Sequence, residues 1–209
     1  MDDLKILTAR WMNSPWKEAV DVLVDSNSTK EVFLAMVRKL YPDEGSEIRT
    51  SYTHRGKAEL YDFRCVNLAK RNLENVDFYK FDLSDGDFSK SNISGADFGT
   101  AQLENADFSN AQADNSTNFH GCFAKNTDFS SAKFYGVDFS GADFSGANFV
   151  NAVLENCDLS NVRLQGAKLD NVKIINCNGQ KLQLSKNEQN ADWFLQSSFN
   201  KVDQIVWIN

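Results

Sequence analysis

Between residues 139 and 172 the chain reads FSGADFSGANFVNAVLENCDLSNVRLQGAKLDNV, with Phe or Leu at every fifth position. A helix repeats every 3.6 residues and a strand every 2, so neither accounts for this period. The series runs on to Ile174 and back through Phe134, Phe129, Ala124 and Phe119, where one extra residue follows Ala113. It then resumes through Phe108, Leu103, Phe98, Ile93, Phe88, Leu83, Phe78, Leu73 and Leu68 to Phe63. Of these 23 central positions 21 are Phe, Leu or Ile, types that make up 40 of the 209 residues. Chance would place about four there, so the chain is a repeat array.

Two residues before each centre lies a second register of mostly small side chains, including Ala96, Ala101, Ala106, Ala111, Ala142 and Ala147. Positions two apart in extended chain point the same way, so centre and small residue share the interior and the other three face water. A straight strand cannot hold two in and three out. The chain must turn a corner in every repeat, and four corners close a square coil of 20 residues. Coils stacked at the inter-strand spacing of about 4.8 Å can pair their backbones above and below, which predicts a four-sided parallel β-helix. Residues 61–180 would give about six coils and a shaft of about 28 Å.

The runs ADFSG, ANFVN, ADFGT and AKLDN resemble the A(D/N)LXX motif of pentapeptide repeat proteins. The resemblance covers residues 61 to about 178 and is greatest to the cyanobacterial members. It implies an all-β solenoid, a right-handed quadrilateral parallel β-helix, with no common catalytic residue or cofactor. Some members of the family resemble DNA in shape and charge and act on DNA gyrase by occupying its DNA-binding saddle.

The ends of such a shaft need caps. Residues 1–60 are expected to form a helical cap and connector. Leu4, Leu7, Thr8 and Trp11 share one helical face, Ser14 and Pro15 suit a second helix start, and Ser28 with Glu31 forms a capping box before a third that stops at Pro42. Its apolar face, Val32, Phe33, Met36, Val37 and Leu40, is expected to pack on the first coil, where Tyr61, Arg71 and Phe81 replace small residues. Residues 43–57 read as a polar connector. Residues 181–209, with Trp193, Phe194, Phe199, Ile205, Val206, Trp207 and Ile208, read as a C-terminal cap; a homodimer through the apolar terminal strand is the alternative to a monomer.

The Phe ladders at Phe88, Phe98, Phe108, Phe129, Phe139 and Phe149, continued by Leu159, are core centres rather than a cofactor box. The small centres Ala113 and Ala124 flank the extra residue, where a bulge or shallow dent is expected. Cys157 and Cys177 fall 20 apart in one inward column, within reach of a disulfide, although a reducing setting and a register of small fillers favour free thiols. Cys122 should face inward and Cys65 outward. His54 and His120 have no carboxylate or nucleophile placed beside them by spacing, and no phosphate loop, zinc spacing or nucleophile motif occurs. No catalytic residue, metal or cofactor is expected.

Asp77, Asp82, Asp87, Asp97, Asp107, Asp128, Asp138, Asp143 and Asp158 precede centres and should stand outward in columns, forming the candidate acidic face. Residues 61–180 hold 16 acids and 10 bases, a net charge of −6. A DNA rod of about 28 Å would carry about 16 charges. The shaft has little more than a third of that density, with Lys70, Lys80, Lys90, Lys125, Lys133 and Lys168 interspersed, and lacks the projecting loops of the gyrase-binding members. The expected function is therefore a non-enzymatic protein–protein interaction or scaffold protein with an unidentified protein partner. An acidic DNA mimic that binds gyrase is the alternative, and direct nucleic-acid binding is not expected. The start of the chain lacks signal-peptide features and no run of about 18 apolar residues occurs, so a cytoplasmic protein away from membranes is expected.

Overall fold

A computed structural model of the chain describes Ala9, Asp21 and residues 48–53, 56–187, 191–201 and 205–208. The expected helices over residues 1–41 lie outside the described residues, apart from Ala9 and Asp21. From Phe63 onward the chain is a parallel β-helix. One ladder of paired residues climbs through Asp62, Asp82, Gln102, Phe123, Asp143, Arg163, Gln183 and Val206. The step of 20 becomes 21 where the extra residue enters, between Gln102 and Phe123, and 23 at the last pair, Gln183 and Val206.

A single repeat explains the shape. In Gly86–Lys90 the Gly86 N–H donates to Leu83 O behind it at 3.0 Å, and that of Asp87 donates down to Val66 O at 2.8 Å. The N–H of Phe88 donates up to Asp107 O at 2.7 Å, and that of Lys90 up to Ser109 O at 2.9 Å. Each coil is thus bonded on both sides, as buried backbone requires. The corner is made two residues after the centre, where the backbone is left-handed: Lys70, Asn75, Lys80, Asp85 and Lys90 all have φ between 59 and 62°. Asn and Gly tolerate this region best, which is why Asn105, Asn110, Gly141 and Gly146 hold the same place higher up.

The inserted residue is absorbed at one corner. Thr117 N–H donates to Asp114 O at 3.0 Å, and the buried Thr117 hydroxyl donates to Ile93 O at 3.1 Å on the coil below. Asn115 then lies beneath Gly136, where an added Cβ would stand 2.6 Å from the Asn115 Cβ. Of the bulge or shallow dent expected here, the corner takes up the extra residue as the bulge, while Ala113 and Ala124 are 7% and 0% exposed. Phe134 and Phe144 on the next coil fill the space, with edge contacts to Phe119 at 6.3 Å and Phe129 at 5.4 Å.

The interior consists of two aromatic ladders at right angles. Phe78, Phe98, Phe119 and Phe139 stack at 5.0, 4.7 and 5.3 Å, and Phe88, Phe108, Phe129 and Phe149 at 4.6, 5.3 and 5.0 Å. Leu159 continues the first ladder and is 2% exposed. Where Phe gives way to Leu, a cavity of about 10 Å³ opens among residues including Phe144, Phe149, Leu159, Leu164 and Leu169. It is apolar and has room for about one water, too little for a ligand.

Both ends depart from the repeat. Part of the expected connector is a hairpin: β1 (Ile48–Thr53) pairs antiparallel with β2 (Gly56–Asp62), and β2 joins β3 (Phe81–Asp82) in parallel. The alternation of Ile48, Thr50 and Tyr52 with Gly56 closing a two-residue loop is a strand–turn signal, and β1 covers an edge the first coil would leave open. Two large residues of that coil have partners: Phe81 lies 4.7 Å from Phe63, and Arg71 pairs with Asp21 at 2.8 Å. The middle of the shaft carries a parallel sheet of β4 (Gln112–Ala113), β5 (Lys133–Tyr135), β6 (Val153–Glu155) and β7 (Lys173–Ile175). Beyond β8 (Cys177–Asn178) and β9 (Gln183–Ser185), helix α1 (Asp192–Gln196) buries Trp193. The last strands, β10 (Phe199–Lys201) and β11 (Val206–Ile208), lie parallel on β8 and β9.

Candidate interaction surface

In a repeat such as Gly86–Lys90 the backbone satisfies four of the five N–H groups in the pattern given above. The fifth, one residue after the centre, needs a side-chain acceptor. Asp87 supplies it to Ser89 at 3.0 Å, and Asp77, Asp97, Asp107, Asp128, Asp138 and Asp158 do the same for Tyr79, Gly99, Ser109, Ser130, Ser140 and Ser160 at 2.7 to 2.8 Å. Asn serves equally: Asn92, Asn118, Asn148 and Asn178 accept from Ser94, His120, Val150 and Gln180. The job asks for an oxygen two atoms from the backbone, not for a charge. Asp and Asn also bond from coil to coil, as Asn118 Nδ2 to Asp97 at 2.9 Å and Asn178 Nδ2 to Asp158 at 3.1 Å. Asp128→Ala is accordingly expected to cost about 1–2 kcal/mol in urea unfolding by orphaning the Ser130 N–H, and Asp128→Asn well under 1 kcal/mol.

The acidic positions do not form one face. Asp87, Asp107 and Asp128 stack on one side of the shaft; Asp77 and Asp97, then Asp138 and Asp158, stack on another, with Asn118 between them. Asp143 stands apart from both and, unlike the outward position expected, is 4% exposed. It accepts from the Ser145 hydroxyl at 2.6 Å and lies between Lys125 and Arg163 at 3.9 and 3.8 Å. Asp82, in the same column, is 1% exposed. This side also holds Phe123 at 9% exposure, so its outward column is covered at Asp82, Phe123 and Asp143 and open at Arg163.

On the side formed by β4 to β7, Gln112, Lys133, Val153 and Lys173 stand where other sides carry Asp or Asn. Strands β5 to β7 have three residues each, and Tyr135, Glu155 and Ile175 make an outward column with Tyr135 52% and Ile175 40% exposed. Leu195 of α1, the helix packed near β7, is 68% exposed. These apolar side chains were not anticipated as a surface, although their spacing of 20 in the sequence contains them.

A second missed pair follows the same rule. His120 Nδ1 lies 2.8 Å from the Ser140 hydroxyl, 20 residues on. The pair is exposed. Among the described residues no group of His, Cys, Asp and Glu could hold a metal ion, and no helix is long and apolar enough to cross a membrane. Four free cysteines are present, all buried, including Cys65, which the sequence placed outward.

Five-residue corners, a side-chain-capped turn and a stacked Phe core define a class, the β-solenoids built on pentapeptide units. A family model described as pentapeptide repeats matches in eight copies over residues 62–99, 82–117, 115–149 and 138–174. The chain belongs to the pentapeptide repeat family. It is similar to a solved pentapeptide repeat protein of the Arabidopsis thaliana thylakoid lumen, at 28% identity over 51% of this chain and 70% of that one, with a TM-score of 0.41. HetL, a protein involved in heterocyst differentiation regulation in the cyanobacterium Nostoc, matches at 17% identity over 70% and 86% of the chains, TM-score 0.23. QnrB1, a plasmid-mediated fluoroquinolone resistance protein, matches at 18% identity over 72% and 92%, TM-score 0.34. No curated protein matches the sequence.

Proposed function

We propose that this protein is a non-enzymatic interaction or scaffold protein whose rigid shaft holds flat columns of side chains for a protein partner. The observation that carries this reading is the full use of the repeat for structure. Centres are buried in the core, small residues line the interior, and acids such as Asp87, Asp128 and Asp158 before a centre close their own turns. What remains for function is the outward columns, held at fixed spacing by the coils. The column of Tyr135, Glu155 and Ile175, with Lys133 and Lys173 beside it, is the most apolar of those described.

A gyrase-binding DNA mimic is the second reading, favoured by the like-charged run Asp87, Asp107 and Asp128 one coil apart. The same Asp–Asn equivalence separates the two. Changing Asp77, Asp87, Asp97, Asp107, Asp128, Asp138 and Asp158 together to Asn removes seven charges while keeping every turn acceptor. Affinity capture from a bacterial lysate with the wild-type and substituted proteins, followed by mass spectrometry and a direct binding assay on each recovered protein, tests both. A scaffold partner is expected to bind the two forms with affinities within about threefold, and to be lost on Tyr135→Asp with Ile175→Asp. Gyrase subunits bound by the wild type alone would reverse the assignment.

A further inference from the structure

Cys157 and Cys177 occupy successive places in the column of small inward residues that runs through Val137. Both are buried, at 1% and 0% exposure, and the Cys157 N–H donates to the Cys177 sulfur at 3.3 Å. Their Cα atoms are one coil apart, about 4.8 Å, inside the range of about 4.4 to 6.8 Å that disulfides span. Among the described residues no other pair of this kind exists: Cys122 has Ala101 and Ala142 on the adjoining coils, and Cys65 has Asp85. The interior therefore contains one place where two thiols can join.

The pair sits beneath the C-terminal cap. Strand β10 lies on β8, Phe199 opposite Cys177, and the Cys177 N–H donates to Ser198 O at 3.2 Å. The β10–β8 ladder is short and its register slips between Phe199 and Lys201, so this is a weak seam. We propose that Cys157 and Cys177 are a redox-responsive staple, open as thiols in the resting protein and closed by a small disulfide oxidant that enters when the cap strand lifts. Closing ties the coil of Cys157 to the coil of Cys177 and resists fraying of the shaft at its C-terminal end.

The chemistry is thiol–disulfide exchange. The Cys177 thiolate attacks one sulfur of the oxidant and expels one small thiol. The Cys157 thiolate then attacks the Cys177 sulfur of the mixed disulfide and releases the second small thiol. The protein loses two electrons and two protons, and the oxidant gains both. Cys177 attacks first because it lies directly under the cap strand and its sulfur accepts from the Cys157 N–H, while the hydrogen bond to Cys177 and burial push the Cys157 thiol up. Burial likewise pushes the Cys122 thiol up, so it is a poor competitor.

The test uses the full chain and oxidised glutathione as the probe. Intact mass is expected to fall by about 2 Da. Trypsin, cutting at Arg163, Lys168 and Lys173, should leave the two cysteines on separate peptides joined by a disulfide, with Cys65 and Cys122 still thiols. Hydrogen exchange over residues 174–187 should slow roughly tenfold on oxidation in the wild type and be unchanged in Cys157→Ser. Glutathione adducts without the link would overturn the proposal. So would four intact thiols in folded protein that oxidise only in urea, or equal slowing in Cys157→Ser.

Discussion

Phe108→Ala is expected to destabilise the protein by about 3–5 kcal/mol, measured as a lower urea midpoint by far-UV circular dichroism. Phe108 is fully buried, stacked on Phe88 at 4.6 Å and Phe129 at 5.3 Å, and edge-on to Phe98 at 5.4 Å and Phe119 at 5.8 Å. Truncation removes a ring from one ladder together with its edge contacts to the other, and the coils cannot collapse into the gap because their spacing is set by backbone bonds on either side. Phe108→Leu should cost only about 1–2 kcal/mol, since the same column already carries Leu169. The loss should also be local. In a solenoid each coil contacts only its neighbours, so hydrogen exchange should quicken most over the coils of Phe88, Phe108 and Phe129 and least near Leu184. A uniform increase along the shaft would mean that the array unfolds as a single unit.

This core was legible because its signal is purely periodic. A stride of five fixes which residue of each repeat turns inward, and a stride of 20 fixes which residues touch, so Phe88, Phe108, Phe129 and Phe149 could be stacked on paper across the extra residue. The small register was legible for the same reason. The role of the acids was not: the sequence shows Asp87 before a centre, whereas the fact that the Ser89 N–H has no backbone acceptor emerges only when the coil is built. Reading Asp as charge rather than as acceptor made a candidate face out of residues that Asn replaces without loss at Asn92, Asn118, Asn148 and Asn178. The His120–Ser140 contact and the Tyr135–Glu155–Ile175 column obey the 20-residue rule and were missed only because it was applied to the interior. The hairpin of β1 and β2 lies outside the period, in a stretch whose polar composition hid its alternation.

Removing residues 191–209 is expected to convert the protein into a self-associating species. Cap residues Trp193, Phe194, Phe199 and Trp207 pack together, with Phe194 5.6 Å from Trp193, 6.3 Å from Phe199 and 5.3 Å from Trp207. They close the end of the core that Leu182 and Leu184, both 0% exposed, would otherwise present to water. Aromatic residues bury about 150–250 Å² each, so the cap shields several hundred Å² of apolar surface, as much as the largest patch a monomer usually exposes. Its loss also strips β8 and β9 of the strands that pair with them, leaving N–H and C=O groups at an open edge. Light scattering on a sizing column should show mass rising with concentration for the truncated chain. Double substitution of Leu182 and Leu184 by Lys in that chain should reduce the association, because burying a lysine between two copies costs more than the apolar contact returns. A truncated chain that stays monomeric and folded would show that the last coil needs no cover, and residues 191–209 would then be free to serve as a partner surface rather than as a lid.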